Sequence, residues 1–334
     1  MTGAAIAGQV LEGADWPLFG WSDDVRPALA AALAAGRPAV LATLFRVEGS
    51  APRGPGAQML FDDGPDGMRA SGYFSGDCIE GDVARHAAEV LASGEAQVLH
   101  YGMGSPWIDI RLRCGGALHV LAERIAPGSA AVHSLLDHAA QRRPCRWESD
   151  GARQHIGPGD GPLLAVRGDP LTISRRFDPP RRLIVSGGDP GALALARLAG
   201  EAQFETILVR PDGPEAPPPF PVARYIRGDV AGALDALGID RWTAFVGATH
   251  EDHHDLAACL IALRRDAAWT GMIGASSRAP GRIAALEAAG ASAEELARLH
   301  LSPGITGLGK APWEVATGIL AEIMQAMNPA RERA

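Results

Sequence analysis

Cysteine is scarce in this 334-residue chain, and its four cysteines form no pairing pattern. They stand at positions 78, 114, 145 and 259 without a C-x-x-C pair, so neither a disulfide framework nor a structural zinc site is indicated. The sequence also lacks an apolar run of the roughly 20 residues that a membrane span needs. Its first residues lack the basic segment and apolar core of a signal peptide. We therefore expect a cytoplasmic protein without a membrane span.

The chain also has no excess of basic residues. Against 39 Asp and Glu stand 31 Lys and Arg, which gives a formal net charge of −8. Nonspecific nucleic-acid binding requires a basic face, so we expect no nucleic-acid partner. Neither a Walker A motif nor G-x-S-x-G is present, so phosphate-loop and acyl-transfer chemistries have no support. The composition is that of a globular protein, 47% hydrophobic, in a chain long enough for two domains.

The order of apolar and polar segments predicts an α/β protein. Residues 17–127 are expected to form a mixed α/β N-terminal domain. Residues 128–180, which hold one predicted helix and short strands rich in Gly and Pro, are expected to be a connector. In residues 181–330 strands and helices alternate regularly, which predicts a Rossmann-like, doubly wound parallel sheet as the C-terminal domain.

One cysteine lies in a distinctive setting, the segment S-G-D-C-I-E-G-D at residues 75–82. Asp77 can cap the helix predicted to follow, and Glu80 can complete a capping box. Cys78 then falls in the first turn, where free backbone N–H groups and the helix dipole favour a thiolate. Such a thiolate, flanked by Gly76, is a soft ligand for a metal or an acceptor of sulfur. The alternative is that Cys78 is a small buried hydrophobe.

The second predicted domain begins with a glycine-rich turn, S-G-G-D-P-G at residues 186–191. It matches G-x-G-x-x-G at Gly188 and Gly191, with serine at the first position. The glycines of that motif let backbone N–H groups approach a pyrophosphate at a helix N-terminus. Here Asp189 adds negative charge and Pro190 lacks an N–H donor, so nicotinamide dinucleotide binding is not favoured.

Two arginines suit anionic groups. Arg53 lies on a proline-stiffened loop together with Ser50, and its forked guanidinium with the loop amides is able to hold an anion; a turn carrying a surface charge is the alternative. Arg210 ends the second strand of the second domain, where the dinucleotide motif has an acid for the ribose hydroxyls. Arg210 suits a phosphorylated ligand or is a solvated loop charge.

Residues 249–255 contain H-E-x-x-H, formed by His250, Glu251 and His254. In zinc proteases this spacing places two imidazoles one helical turn apart, with the glutamate as general base. The motif follows a predicted strand almost at once and no third ligand stands in a zincin pattern, so a metal hydrolase is weakly supported. The position instead favours the cleft at the carboxyl ends of parallel strands. Capping of the helix start by the neighbouring Thr and Asp side chains is the alternative without a ligand.

Taken together, the motifs resemble the XdhC/CoxI family, the accessory proteins of molybdenum hydroxylases such as xanthine dehydrogenase and carbon monoxide dehydrogenase. The resemblance is carried in one order by residues 47–57, 75–82, 114–116, 249–255, 271–278 and 319–323. It departs from the family pattern at the glycine-rich turn, which usually reads G-x-G-H, and at Arg210, which replaces an acid. These departures weigh further against dinucleotide binding.

The resemblance implies a chaperone and not a catalyst. Such a protein binds molybdenum cofactor (a molybdopterin), protects it while its terminal sulfido ligand is installed, and delivers it to an apo-hydroxylase. The implied partners are this molybdenum hydroxylase apo-subunit, together with a cysteine desulfurase and a second copy in a homodimer. An NAD(P)-dependent oxidoreductase built on the Rossmann-like domain is the alternative function. We predict cofactor contacts, with Cys78 also the metal ligand, at Cys78, Cys114, Arg53, Ser50, Gly76, Gly188, Gly191 and His250.

Overall fold

The computed structural model describes residues 9–10, 22–65, 67–105, 112 and 115–328. The chain divides into two compact units between Pro179 and Pro180. Among the described residues, no helix is both long and apolar enough to cross a membrane.

The first unit is built on an antiparallel sheet with the strand order β1-β4-β3-β2-β6-β5. Its strands are β1 (Gln9–Val10), β2 (Ala39–Glu48), β3 (Gln58–Gly64), β4 (Gly67–Gly72), β5 (Gln97–Gly102) and β6 (Ala117–Ile125). Because neighbouring strands run in opposite directions, the loops after β2, β4 and β5 all emerge at the same end of the sheet. We call this end, marked by Glu48, Gly72 and Gly102, the loop end of the first sheet.

Two helices cover this sheet, α1 (Arg26–Ala34) and α2 (Glu80–Ser93). Residues at helical spacing on α2, among them Val83, Ala87 and Val90, are buried in one core with the sheet. The helix ends before Gly94, whose φ of 80° is a left-handed conformation that glycine adopts without a steric cost.

The segment predicted to be a connector is itself folded within the first unit. It forms α3 (Ala130–Ala140) and an antiparallel sheet of order β8-β7-β10-β9. These strands are β7 (Cys145–Ser149), β8 (Gln154–Pro158), β9 (Leu164–Arg167) and β10 (Thr172–Phe177). Trp147 and Phe177 share a core with Leu41 of β2 and Leu29 of α1. Such short strands become a sheet only through these distant partners, so the local sequence shows them merely as fragments.

The second unit is the predicted parallel, doubly wound sheet, in the order β13-β12-β11-β14-β15-β16. Its strands are β11 (Arg182–Gly187), β12 (Glu205–Arg210), β13 (Arg224–Arg227), β14 (Thr243–Ala248), β15 (Trp269–Met272) and β16 (Leu299–Leu301). Its helices are α4 (Pro190–Glu201), α5 (Val230–Leu237), α6 (Asp252–Arg264), α7 (Ala279–Ala288), α8 (Ala293–Ala297) and α9 (Pro312–Ala326).

The strand order of the second unit places its candidate site. Numbered within the unit, the order is 3-2-1-4-5-6, that of a Rossmann fold, with the direction of winding reversed between β11 and β14. Both of these strands are buried along their whole length, because helices cover both faces of the sheet. A crevice at the carboxyl ends of β11 and β14 follows from this reversal, and ligands of such sheets bind there.

Candidate functional site

Cys78 lies just before α2 and not inside its first turn. The helix begins at Glu80 after Ile79, and no side chain caps it. Asp77 has a φ of 89°, a left-handed conformation, and does not cap the helix. The predicted capping box is therefore wrong, because Glu80 turns back toward the preceding loop instead of closing the helix start.

Glu80 organises this loop, residues 74–79, which we call the Cys78 loop. Its fully buried carboxylate accepts the Ser75 hydroxyl at 2.5 Å. It also accepts backbone N–H groups over 2.6–3.2 Å, those of Phe74, Ser75, Gly76, Asp77 and Ile79. Burial opposes the negative charge, but the hydrogen bonds from Ser75 and from the backbone outweigh it and hold the pKa of Glu80 below its usual value. The loop is thus folded around a buried, ionised carboxylate.

Ser75 links the Glu80 carboxylate to the backbone of Cys78. While its hydroxyl donates to Glu80, its oxygen accepts the N–H of Cys78 at 2.9 Å and that of Ile79 at 3.2 Å. Gly76 has a φ of 75°, a left-handed conformation that residues with a side chain rarely adopt. The Cys78 backbone is therefore fixed while its side chain is exposed and free. This exposure rules out the alternative that Cys78 is a buried hydrophobe.

Arg53 lies beside the start of the Cys78 loop. Its guanidinium lies over the ring of Tyr73, 4.7 Å from the centroid, contacts the Tyr73 hydroxyl at 3.2 Å and pairs with Asp23. Burial lowers the pKa of Arg53, but hydrogen bonding to Tyr73 and Asp23 outweighs it and raises the pKa. Tyr73 directly precedes the Cys78 loop, so the aromatic ring joins two of the predicted site segments.

The third predicted site segment, residues 114–116, lies against the backbone of Ser50 through Gly116. Gly116 has no room for a side chain, since a Cβ there would lie 2.3 Å from the Ser50 carbonyl oxygen and 2.8 Å from that of Glu48. Ser50 itself is exposed. Cys114 lies outside the described residues, and its predicted role stays a prediction. The loops that carry Ser50, Arg53 and Cys78 all lie at the loop end of the first sheet.

In the second unit, the predicted residues gather where β11 and β14 end. Gly188 and Gly191 flank Asp189, which caps α4 by accepting the N–H of Ala192 at 2.8 Å. The other carboxylate oxygen of Asp189 lies 3.1 Å from the Nε2 atom of His250, across the reversal of the sheet. His250 has a φ of 65° and is half exposed. The helix start that would receive a pyrophosphate in a dinucleotide-binding fold is therefore occupied by the Asp189 carboxylate.

The serine at the first glycine position has a structural partner. Ser186 donates its hydroxyl to the buried carboxylate of Asp255 at 2.9 Å, and Thr249 donates its N–H to the same group at 3.1 Å. Burial outweighs these hydrogen bonds and raises the pKa of Asp255. Asp255 is one of the Asp side chains for which the sequence predicted a capping role, and Glu80 was likewise predicted only to cap a helix. Ser186, which stands where the motif has glycine, was the feature of the sequence that could have indicated the buried partner Asp255.

The H-E-x-x-H motif does not gather its own residues. His250 turns to Asp189, whereas the grouping with metal-ligand potential among the described residues consists of Glu251, His253 and His254. Their ligand atoms lie within 4.8 Å of one another, and the first two residues are exposed. The geometry of a zinc protease, with two imidazoles and a general base lining a cleft, is not formed by this trio.

Comparisons with known proteins agree with this architecture. Residues 32–102 match the XdhC and CoxI family, and residues 183–323 match the XdhC Rossmann domain. The chain is 28% identical over 294 residues to "Molybdenum cofactor insertion chaperone PaoD" of Escherichia coli K12, covering 87% of this chain and 84% of that protein. It is 27% identical over 322 residues to a probable xanthine dehydrogenase subunit of Bacillus subtilis 168, covering 86% and 92%.

A solved structure shares the fold along nearly the whole chain. It is a crystal structure described as a xanthine dehydrogenase from Bacillus halodurans, with a TM-score of 0.70 at 22% identity, over 92% of this chain and 96% of that one. The matched regions contain both the Cys78 loop and the glycine-rich turn with His250. With both of its domains present in order, the chain belongs to the XdhC and CoxI family.

Proposed function

We propose that this protein is a maturation chaperone that binds molybdenum cofactor, holds it while the terminal sulfido ligand is installed, and delivers it to the apo-form of a molybdenum hydroxylase. One relative is named as a molybdenum cofactor insertion chaperone, and another as a probable subunit of xanthine dehydrogenase. The observation that carries the proposal is the exposed Cys78 thiol on a loop whose backbone is fixed.

The chemistry of this loop suits molybdenum and sulfur. Thiolates are soft ligands, and an exposed cysteine is accessible to a large metal-bearing cargo. Hydrogen bonds from the Cys78 N–H to Ser75 and from the Ser75 hydroxyl to the buried Glu80 carboxylate fix the backbone that carries the exposed thiol. Such preorganisation reduces the ordering cost of binding. In this proposal the Cys78 thiolate contacts the molybdenum of the bound cofactor.

The neighbouring loops supply groups for the rest of the cargo. The guanidinium of Arg53, which stacks on Tyr73 and pairs with Asp23, lies at the loop end of the first sheet, and in this proposal a phosphate takes the place of the exposed Asp23 carboxylate. The phosphate of a molybdopterin is anionic, and a guanidinium recognises phosphate through paired N–H groups. Ser50 adds an exposed hydroxyl there, and Cys114 is the second candidate thiol. A cysteine desulfurase as sulfur donor, a homodimer and a cytoplasmic location complete the proposal.

The nicotinamide alternative has less support from the second unit. The Asp189 carboxylate accepts from the N–H of Ala192, one of the donors that a pyrophosphate would need, and Pro190 has no N–H. A negative group at this position repels the phosphates of a dinucleotide.

The test is co-elution of molybdenum and pterin with the purified chain in gel filtration after incubation with molybdenum cofactor. We expect near-stoichiometric retention by the wild type and loss in Cys78→Ala. Cys145→Ala is the matched control, because Cys145 is a buried cysteine of the same unit. Retention unchanged in Cys78→Ala would move the contact to another residue, with Cys114 tested next. A wild type that retains neither molybdenum nor pterin would refute the proposal.

A further inference from the structure

Arg210 is the last residue of β12, at the carboxyl end of the strand beside β11. It is a partly buried strand residue and not the solvated loop charge that its sequence context allows. In a Rossmann fold, the end of this second strand faces the ribose of a bound nucleotide. The side chain therefore lies at the crevice but on a different strand from the Asp189 turn.

Two glycines make room for this side chain. A Cβ on Gly188 would lie 2.2 Å from the Cζ and Nε atoms of Arg210, so the guanidinium lies directly against the Gly188 backbone. A Cβ on Gly213 would lie 2.7 Å from the Cβ of Arg210. The first of these glycines belongs to the glycine-rich turn, where it gives space to a protein guanidinium.

The Arg210 guanidinium has a defined position, but no described residue binds it there. In the part of the chain that the structure describes, no hydrogen bond or ion pair engages the Arg210 side chain, which offers five N–H donors. Its register partner on β13 is Arg227. Arg227 donates through Nε to the Gly213 carbonyl at 2.9 Å, and its NH1 atom lies 4.0 Å from the exposed carboxylate of Glu215. Two guanidinium side chains thus begin from paired positions at the ends of adjacent strands.

The charge around the crevice is divided. Asp189 puts a carboxylate at the start of α4, joined to His250, where a diphosphate would otherwise bind. The Arg210 guanidinium lies against Gly188, the residue before Asp189, and Arg227 starts from the end of β13. An anionic ligand is therefore repelled by the Asp189 carboxylate at the start of α4 and attracted by the two arginines on the β12 side of the crevice.

We propose that the ends of β12 and β13 form a phosphate-monoester site in which Arg210 is the principal donor and Arg227 the second. A dianionic phosphate matches two guanidinium groups in charge and geometry. Such a group occurs on the ribose of a nucleotide and on the side chain of a molybdopterin. The site itself does not depend on the proposed chaperone function, and the two sources give different experimental results.

The experiment is calorimetric titration of the full chain with adenosine 2′-monophosphate and with adenosine, which differ only by the phosphate. For a nucleotide source, we expect about tenfold or more tighter binding of the phosphorylated probe and loss of that difference in Arg210→Ala. Arg210→Lys keeps a charge without the planar fork and should restore only part of it. Arg224→Ala is the matched control, since Arg224 is an exposed arginine at the opposite end of β13.

Gly188→Ala tests the placement of the guanidinium without removing its charge. The added methyl would occupy the position of the Arg210 guanidinium, so the preference for the phosphorylated probe should fall. Thermal unfolding of each variant verifies that it is folded.

The second arm repeats the molybdenum cofactor retention assay with Arg210→Ala and Arg224→Ala. For a pterin source, adenosine 2′-monophosphate does not bind, and cofactor retention falls in Arg210→Ala but not in Arg224→Ala. That result would assign the cofactor phosphate to Arg210 and not to Arg53. Equal behaviour of these two variants in both arms would overturn the proposal. Nucleotide discrimination in a chain that retains no cofactor would refute the chaperone function alone and leave this site standing.

Discussion

Glu80 and Asp255 are fully buried carboxylates near the start of a helix and beside a candidate site, yet their pKa values move in opposite directions. Burial raises the pKa of both, but Glu80 accepts five backbone N–H groups and a hydroxyl. Asp255 accepts the Ser186 hydroxyl and the Thr249 N–H. The number of converging donors thus decides whether the pKa of a buried acid is lowered or raised.

Each of these two regions also contains a cysteine, and the two cysteines differ in their exposure to solvent. Cys78 is exposed on the loop that Glu80 organises, whereas Cys259 is buried on α6, one turn after Asp255. Burial, with the charge of Asp255, raises the pKa of Cys259 well above its usual value. The first region presents a thiol to ligands, and the second encloses one in its core.

Thiol labelling should show the largest difference between the two regions. We expect Cys78 to react with iodoacetamide about 100-fold faster than Cys259 in the native chain, because reaction needs an accessible thiolate. Peptide mass spectrometry over time measures both rates, and urea-unfolded protein is the control in which the rates converge. Comparable native rates would contradict the placement of Cys78.

Removing the charge of Glu80 should have the next largest effect. Glu80→Gln replaces a carboxylate oxygen with a donor that faces other donors, so the free energy of unfolding should fall by about 3 kcal/mol. Denaturant unfolding measures this change. Glu89→Gln, at an exposed position on the same helix, is the control and should change stability far less. Equal losses in the two variants would show that Glu80 does not organise the loop.

The pH dependence should separate the two carboxylates by sign. Because the pKa of Glu80 is lowered from 4.5, its contribution is present above that value and is lost as pH falls through the folded-state pKa. Because the pKa of Asp255 is raised from 3.8, its contribution is present below that value and is lost as pH rises through the folded-state pKa.

The measurement is the free energy of unfolding of the wild type minus that of Glu80→Gln or Asp255→Asn, between about pH 3 and 7. The first difference should grow with pH and the second should shrink. Two differences that change in the same direction would remove the distinction between the regions.

Neutralising Asp255 should have the smallest effect. Asn keeps one oxygen able to accept from Ser186 and carries no charge to bury, so Asp255→Asn should cost less than about 1 kcal/mol at neutral pH. Asp255→Ala, which leaves the Ser186 hydroxyl and Thr249 N–H without this acceptor, is the comparison and should cost more. A larger loss in Asp255→Asn than in Glu80→Gln would reverse our ranking of the two sites.

Periodicity and motif order were sufficient to predict the fold class. Alternating strands and helices in the second unit predicted its parallel sheet, and the helix predicted to follow the Cys78 segment is α2. The four-stranded sheet around Trp147 was visible only as strand fragments. Its strands are four to six residues long, and their pairing depends on contacts with β2 and α1 that no local pattern encodes.

The candidate sites were predicted less completely. The Asp77–Glu80 spacing is the same for a capping box and for the observed loop, so only the three-dimensional path shows that Glu80 accepts from the Cys78 loop. The contact of Arg210 with Gly188 likewise depends on the pairing of β12 with β11. Both features join residues through tertiary structure, and sequence spacing alone leaves them ambiguous.

The most direct test of the central claim is molybdenum X-ray absorption spectroscopy of the chain loaded with cofactor. It counts the sulfur atoms bound to the metal, in the wild type and in Cys78→Ser. We predict one fewer sulfur neighbour in Cys78→Ser, because in our proposal the exposed Cys78 thiol is a ligand of the molybdenum. Identical sulfur shells in the two loaded proteins would contradict it and would show that the cofactor is held without this cysteine.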